Sequence, residues 1–430
     1  MAQSTLPPVH EAWLPREHSL YRPRHGVRQL TAIICAVVFF ALPLISLTVG
    51  MRPTELENHR LASFPNPGDG WSFFTNFNGW SNDHLPFRRE AIDAVNGISR
   101  GLFGEPPNLG RSPQQSGPVA VVPGPQQGDK RQINPGVTIP LAIEGKNGWM
   151  YYGDDVVSRC NQARDLKSTM DQIRRLREGV EASGRKFVMV VAPDKTTIVP
   201  ENLPNSYAGK DCMQKVNSEL WPLLTAEKGV VDLRGELHAR GQQLGKPVYP
   251  PLDGHWWDEG GLVLARRLAE AIHPTITRKW VTQPVQEYSI PADTPPLIGL
   301  SGTNKGFMYS LKPDGERDQT RNLSPDFNTP VQVGHATGQG TVTESVGMLS
   351  DSFTIRALRY LAASFGDLTV LHYGKTPDDN GRAAGEMLAQ NEVVAVEVVE
   401  RTIASGNNQL LQPAVVDGIV RVLQDNPIRK

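Results

Sequence analysis

At 430 residues, 39% of them hydrophobic, the chain can bury a sizeable core, as one large domain with additions or as two domains. Its 44 basic and 45 acidic residues leave a net charge of −1, which argues against a nucleic acid or an acidic polymer held by bulk charge.

Residues 1–28 form a Pro- and charge-rich tail, expected in the cytoplasm. Leu30 to Val49 reads LTAIICAVVFFALPLISLTV, uncharged and about as long as a bilayer core requires, so residues 29–50 are expected to be a transmembrane anchor. Arg16, Arg22, Arg24 and Arg28 precede it and Arg52 follows. That asymmetry predicts a single pass with the N-terminus inside and an exported body, periplasmic or cell-surface. A signal peptide competes with this reading. The long polar N-region, the long apolar run and the lack of a small-x-small cleavage site favour an uncleaved anchor. Cys35 lies in the apolar run. Cys160 and Cys212 lie in the exported part and could form a disulfide, or stay as two buried thiols.

Residues 51–104 make an N-terminal region with apolar residues at helical spacing near Ala91, Ile92 and Val95. Residues 105–140 are rich in Pro, Gly and Gln, with little to pack, and read as an insertion or linker. The main domain is expected over 141–430. EGKNGWMYYGDD reads as strand and turn. A helix should follow, with Leu166, Met170, Ile173, Leu176 and Val180 on one face, ending at Gly184. KFVMVVAP and GVVDL read as strands and GGLVLARRLAEAI as a helix. ESVGMLSDSFTIRALRYLAASFGDLTVLHY reads strand, tight turn, helix, strand, and NEVVAVEVVERTI is a further strand. Apolar strands alternating with helices predict an α/β fold: a mostly parallel sheet covered on both faces, in three layers.

Two short stretches carry candidate chemistry. In VGMLSDSFTIRAL the strand Val346–Leu349 runs into a turn with Ser352 at its carboxyl end and at the start of a helix. Ligands of open α/β sheets bind at that edge, and backbone N–H groups there can stabilise an oxyanion. Asp351 or Ser352 could equally be a plain helix cap. In PPLDGHWWDEGG, Asp253 and His255 stand two apart between KPVYPPL, read as the end of a strand, and the next helix. A Ser, a His and an Asp on one sheet edge can make a nucleophile, a base and an orienting carboxylate. Trp256 and Trp257 fit core packing for at least one and sugar stacking for the other. Asp258 and Glu259 fit helix capping.

LSDSF resembles the nucleophile block of SGNH hydrolases, and LDGHWW the D-x-H-W block of their AlgJ/AlgX-type relatives, the alginate O-acetyltransferases. As in those relatives, Asp and His precede Ser. ENHRLASFP, NDHLPFRRE, GWMYYGDD, VVAPDKTTIVPENLP and VVERTI resemble further blocks of the same group, from about Glu57 to Ile403. Ser350 stands where the group usually has Gly. The resemblance implies an SGNH-hydrolase-like domain that transfers an acyl group, most often acetyl, to hydroxyls of an exported polysaccharide. Ser352 would be the nucleophile, His255 the base and Asp253 its orienting acid. Lys195, Arg401, Tyr152, Trp256 and Trp257 are candidates for substrate binding. A multi-spanning membrane O-acyltransferase is the implied partner and acyl donor. A carbohydrate esterase, or a glycan-binding protein with a decayed site, are the alternatives. No cofactor or metal is implied: His238, His255 and His273 lack zinc-helix spacing.

Overall fold

The structure, a computed structural model, describes residues 14–15, 17–18, 26–49, 64–83, 132–134, 137–323 and 326–428. Two compact units divide the chain, 1–92 and 93–430. In the first, the apolar stretch forms a helix, Gly26–Thr48, and the aromatic stretch after it a second, Trp71–Asp83. Leu30, Ile33, Val37, Phe39 and Phe40 are more than half exposed around the first helix. Among the described residues, no helix is long and apolar enough to cross a membrane. The expected helix near Ala91, Ile92 and Val95 lies outside the described residues, as does most of the 105–140 stretch. Its end is not linker: Gln132–Asn134 (β1) and Val137–Thr138 (β2) pair antiparallel.

In the second unit, Ala142–Glu144 (β3) and Met150–Tyr152 (β4) form the expected strand and turn as a hairpin. Six strands then make the main sheet: Lys186–Ala192 (β5), Val230–Asp232 (β6), Val331–Gln332 (β9), Val342–Ser350 (β10), Phe365–His372 (β11) and Val393–Val399 (β12). Their order is β6-β5-β12-β10-β11-β9. All pairings are parallel except β11 with β9, so the sheet is mixed only at one edge. Alternation explains the layers. Phe187, Met189 and Val191 of β5 face the helices Leu166–Ala182, Lys210–Ala226 and Pro413–Asp425. Val188, Val190 and Ala192 face the opposite core, with the helices Asp258–Ile272 and Leu358–Ser364. Both faces are covered, so β12 is buried along its whole length. The helix predicted from Leu166, Met170, Ile173, Leu176 and Val180 buries all five.

A long antiparallel hairpin, Val281–Pro291 (β7) with Thr303–Lys312 (β8), follows the Asp258–Ile272 helix. Two expectations are corrected. KPVYPPL is not a strand: Pro247, Pro250 and Pro251 have no N–H to give a ladder, and the segment is turns. The Glu-Arg pair of VVERTI lies in a helical turn, Glu400–Ala404, after the strand.

Cys160 and Cys212 are joined in a disulfide that ties the Gly153–Cys160 helix to the Lys210–Ala226 helix across a sequence separation of 52. Cys160→Ser with Cys212→Ser should lower unfolding free energy by about 2–4 kcal/mol, from the loop entropy returned to the unfolded chain. Urea unfolding with and without reductant checks this; coincident midpoints would show that the bond adds nothing.

Candidate active site

The carboxyl ends of the three central strands converge. β5 runs into Asp194 and Lys195, β12 into Glu400 and Arg401, and β10 into Asp351 and Ser352. Capping falls to Asp351, not to Ser352. The Asp351 carboxylate accepts from Phe353 N (2.9 Å), Val399 N (2.9 Å) and Tyr373 Oη (2.8 Å). Ser352 opens a short 3-10 helix, Ser352–Arg356, rather than the α-helix expected there. Its N–H, as the first of that helix, has no partner within it.

The Ser352 hydroxyl lies 2.9 Å from His255 Nε2. On the other side of the ring, Nδ1 lies 3.1 Å from Asp253 Oδ1 and 3.1 Å from Asp293 Oδ2. Asp253 Oδ1 also accepts the backbone N–H of His255 at 2.9 Å. The two-residue spacing thus lets one carboxylate oxygen grip both the backbone and the ring of the histidine. Burial pulls the His255 pKa down, but the bonds and charges of Asp253 and Asp293 outweigh it and raise it to about 9. Burial alone would raise Asp253, yet hydrogen bonds from His255 and Asp293 hold it below the usual carboxylate value. For Asp293, burial and the Asp253 charge act together and push it up to about 7.

The loop that carries Asp253 and His255 is tied from three sides. Lys195 Nζ donates to the carbonyls of Met150 (2.6 Å), Pro251 (2.7 Å) and Asp253 (3.1 Å). Met150 N donates to Pro251 O (2.9 Å), and Thr294 N to Leu252 O (3.3 Å). Gly254 is required by close approach: a Cβ there would overlap the Tyr152 ring. Gly261 likewise lets the Asp258–Ile272 helix rest against the backbone of Arg356, behind the Ser352 turn.

Several sequence candidates are placed elsewhere than in a groove. Lys195 is 1% exposed, with its three donors spent on backbone carbonyls; burial pulls its pKa down to about 7. It holds the loop and does not reach solvent. Trp256 and Trp257 are 1% and 5% exposed, so neither is free to stack on a sugar. Trp256 Nε1 donates to Phe353 O at 3.0 Å, and Trp257 packs edge-on against Tyr288. Asp258 accepts from Tyr360 Oη (2.6 Å) and Glu259 from Tyr309 Oη (2.8 Å), inside the protein. Tyr152 is half-buried and donates to Asp293 Oδ2 at 2.9 Å. Arg401 belongs to a buried ion cluster beneath the site. It meets Asp194 at 2.9 Å, while Arg159 meets Asp194 at 2.8 Å and Glu400 at 2.6 Å. Burial and the Asp194 charge push Asp155 of this cluster up to about 8. The Arg401 guanidinium also lies over the Tyr152 and Phe353 rings, at 5.5 and 5.4 Å.

Ser350 has a negative φ, so its backbone does not demand glycine. Its side chain is fully buried and its Oγ has no hydrogen-bond partner among the described residues. Asp293 is the site residue that sequence reasoning missed. An Asp in PADTPP reads as a turn residue; only the return of the β7–β8 connection brings it to His255. Among the described residues, Asp253, His255 and Asp293 are the cluster whose ligand atoms could converge on a metal. Backbone N–H groups, the Tyr152 hydroxyl and the shared Nδ1 proton already engage Asp253 Oδ1 and both oxygens of Asp293.

The site is a serine at the end of a central parallel strand, facing a histidine backed by carboxylates, in an α/β domain. Residues 142–311 match the family described as "SGNH hydrolase-like domain, acetyltransferase AlgX". Over this region the chain is AlgJ/AlgX-like. It is 24% identical over 196 residues to a probable alginate O-acetylase AlgJ of Pseudomonas syringae pv. tomato, covering 43% of this chain and 47% of that one. It is 26% identical over 138 residues to the like-named protein of Pseudomonas fluorescens, covering 31% and 34%. The chain therefore spans about half the length, or less, of these curated relatives. The O-acetyltransferase domain of Pseudomonas putida AlgJ superposes with a TM-score of 0.42 at 15% identity, over 65% of this chain and 99% of that one. The matched family region contains Asp253, His255 and Asp293 and ends before Ser352. The place of Ser352 therefore rests on the geometry of the site.

Proposed function

We propose that this protein is an exported O-acetyltransferase that acylates hydroxyls of an extracytoplasmic polysaccharide through an acyl-Ser352 intermediate. The contact of Ser352 Oγ with His255 Nε2, a histidine inside the region that matches the AlgX family, is the observation that carries the reading. Ser352 Oγ attacks the acyl carbonyl as its proton passes to His255 Nε2. The new ester forms as the bond to the donor's leaving group breaks, and that group takes the proton from His255. A sugar hydroxyl then attacks the acyl-serine and gives its proton to His255, which returns it to Ser352 Oγ as that bond breaks. Asp253 fixes the imidazole tautomer and stabilises its cation. The N–H of Ser352 is the proposed oxyanion donor, an interaction of the kind worth about 2.7–4 kcal/mol in measured cases.

Residues 29–50 are proposed to anchor the chain with its N-terminus in the cytoplasm. The apolar side chains exposed around the Gly26–Thr48 helix and the arginines before it support this. The disulfide supports export, since such bonds persist in oxidising compartments. One apolar helix cannot carry an acyl group across a bilayer, so a multi-spanning O-acyltransferase is proposed as the donor partner. The NDHLPFRRE block, a candidate contact, lies mostly outside the described residues.

The test is to incubate the chain with an activated acetyl ester and map acetyl by peptide mass. Acetyl on Ser352, discharged faster by glycan hydroxyls than by water, is expected. Discharge to water alone would make the protein an esterase. A folded protein with no adduct and no ester turnover would sink the enzymatic reading.

A further inference from the structure

We propose that Asp293 is a second orienting carboxylate for His255, so that two acids from separate parts of the chain hold the imidazole. This rests on the reading of Ser352 and His255 as nucleophile and base. Nδ1 carries one hydrogen, and it faces Asp253 Oδ1 and Asp293 Oδ2 at the same 3.1 Å. Asp253 reaches the ring from its own loop, two residues earlier. Asp293 arrives from the connection between β7 and β8, where three groups fix it. Gly254 N donates to Oδ1 at 3.0 Å, the Tyr152 hydroxyl to Oδ2 at 2.9 Å, and His255 Nδ1 completes the set. All three members of the cluster are nearly buried, with side-chain exposures of 13% for His255 and 9% for each acid.

Two carboxylates in one desolvated place do not both ionise freely. The opposite shifts of Asp253 and Asp293 follow: the first is held ionised, the second keeps its proton to about neutrality. The other charged or titratable groups that bear on Asp293 are the Tyr152 phenol and the Lys195 ammonium, with Arg401 over the far side of the Tyr152 ring. Either acid alone can accept the Nδ1 proton and so keep Nε2 aimed at Ser352. Above neutrality, where Asp293 is ionised, the two together make the imidazolium that forms during acyl transfer more stable than one acid would. Asp293 acts through His255 and is a positioning residue.

The full chain and its Asp253→Asn, Asp293→Asn and doubly substituted variants would be compared in ester turnover. Each single change should lower kcat about 10- to 100-fold with KM nearly unchanged, and the double change about ten-thousand-fold, the loss seen where a histidine has no orienting acid. The rise of kcat/KM with pH tracks loss of the His255 proton. Removing an acid lowers the pKa of its histidine partner. In Asp293→Asn that limb should therefore move toward acid by about one pH unit. A merely structural role would lower the amplitude and leave the limb in place. Asp253→Asn already as slow as the double variant, or superimposed limbs for wild type and Asp293→Asn, would overturn the proposal. Nitrogen NMR of the His255 ring decides it apart from turnover. In Asp253→Asn, His255 should still titrate above about 6.5, the value of a free imidazole, because Asp293 remains. Titration at or below that value would overturn the proposal even if Asp293→Asn did not fold. A wild type without adduct or turnover would remove the enzymatic reading, and this titration would still report whether Asp293 holds the ring.

Discussion

Ser352→Ala is expected to lower ester turnover by roughly a million-fold in kcat, the scale reached when the nucleophile of such a triad is removed. A serine is a weak nucleophile at neutral pH, and Ser352 has one base within reach, His255 Nε2 at 2.9 Å. Deleting the oxygen removes the atom that bonds to the acyl carbon, so no neighbouring group substitutes for it. His255→Ala should cost a similar amount, and the double variant little more, because the two residues act as a unit. A million-fold corresponds to about 8 kcal/mol of barrier, most of what the site is asked to supply. The substitution should leave folding intact, since capping of the following turn belongs to Asp351. Steady-state turnover of an activated ester checks this. Ser352→Ala within tenfold of wild type would show that the acyl chemistry runs elsewhere.

Arg159→Met is expected to destabilise the protein by about 3–5 kcal/mol without touching the reacting groups. The Arg159 guanidinium is fully buried and bridges Asp194 at 2.8 Å and Glu400 at 2.6 Å, while its Nε donates to Asn217 at 2.6 Å. Without it, two carboxylates at the carboxyl ends of β5 and β12 would face Arg401 alone, in a place water does not reach. Glu400 is further tied to Trp221 Nε1 at 2.8 Å and to Asp194 N at 2.8 Å, so it cannot swing out to solvent. Removing one partner of such a cluster costs more than the cluster itself contributes, because the remaining charge stays desolvated. Thermal unfolding should show a drop on the order of 10 °C. An unchanged midpoint would mean that the carboxylates take up protons at little cost.

The sequence by itself determined the α/β class, because period decides it. Runs such as KFVMVVA and VVAVEVV, short and rich in β-branched residues, suit a strand covered on both faces, and the 3.6-residue spacing of Leu166 to Val180 suits a one-sided helix. It also determined which serine, histidine and aspartate are candidates. The D-x-H spacing is itself local physics, since Asp253 binds the backbone and the ring of a residue two positions away. The tertiary structure decided what is non-local. Asp293 lies 38 positions from His255 and meets it only because the β7–β8 hairpin returns over the sheet edge. By sequence alone Lys195 suits a pocket or a salt bridge, and one of Trp256 and Trp257 suits the core and the other a groove. Their burial depends on which loops close above them, a property of packing that no local pattern records. The same holds for Arg401, a cation whose partners come from a strand end and a helix far apart in the chain. Periodicity and short spacing are written within a few residues, whereas burial and charge pairing between distant segments exist only once the sheet has brought its strand ends together.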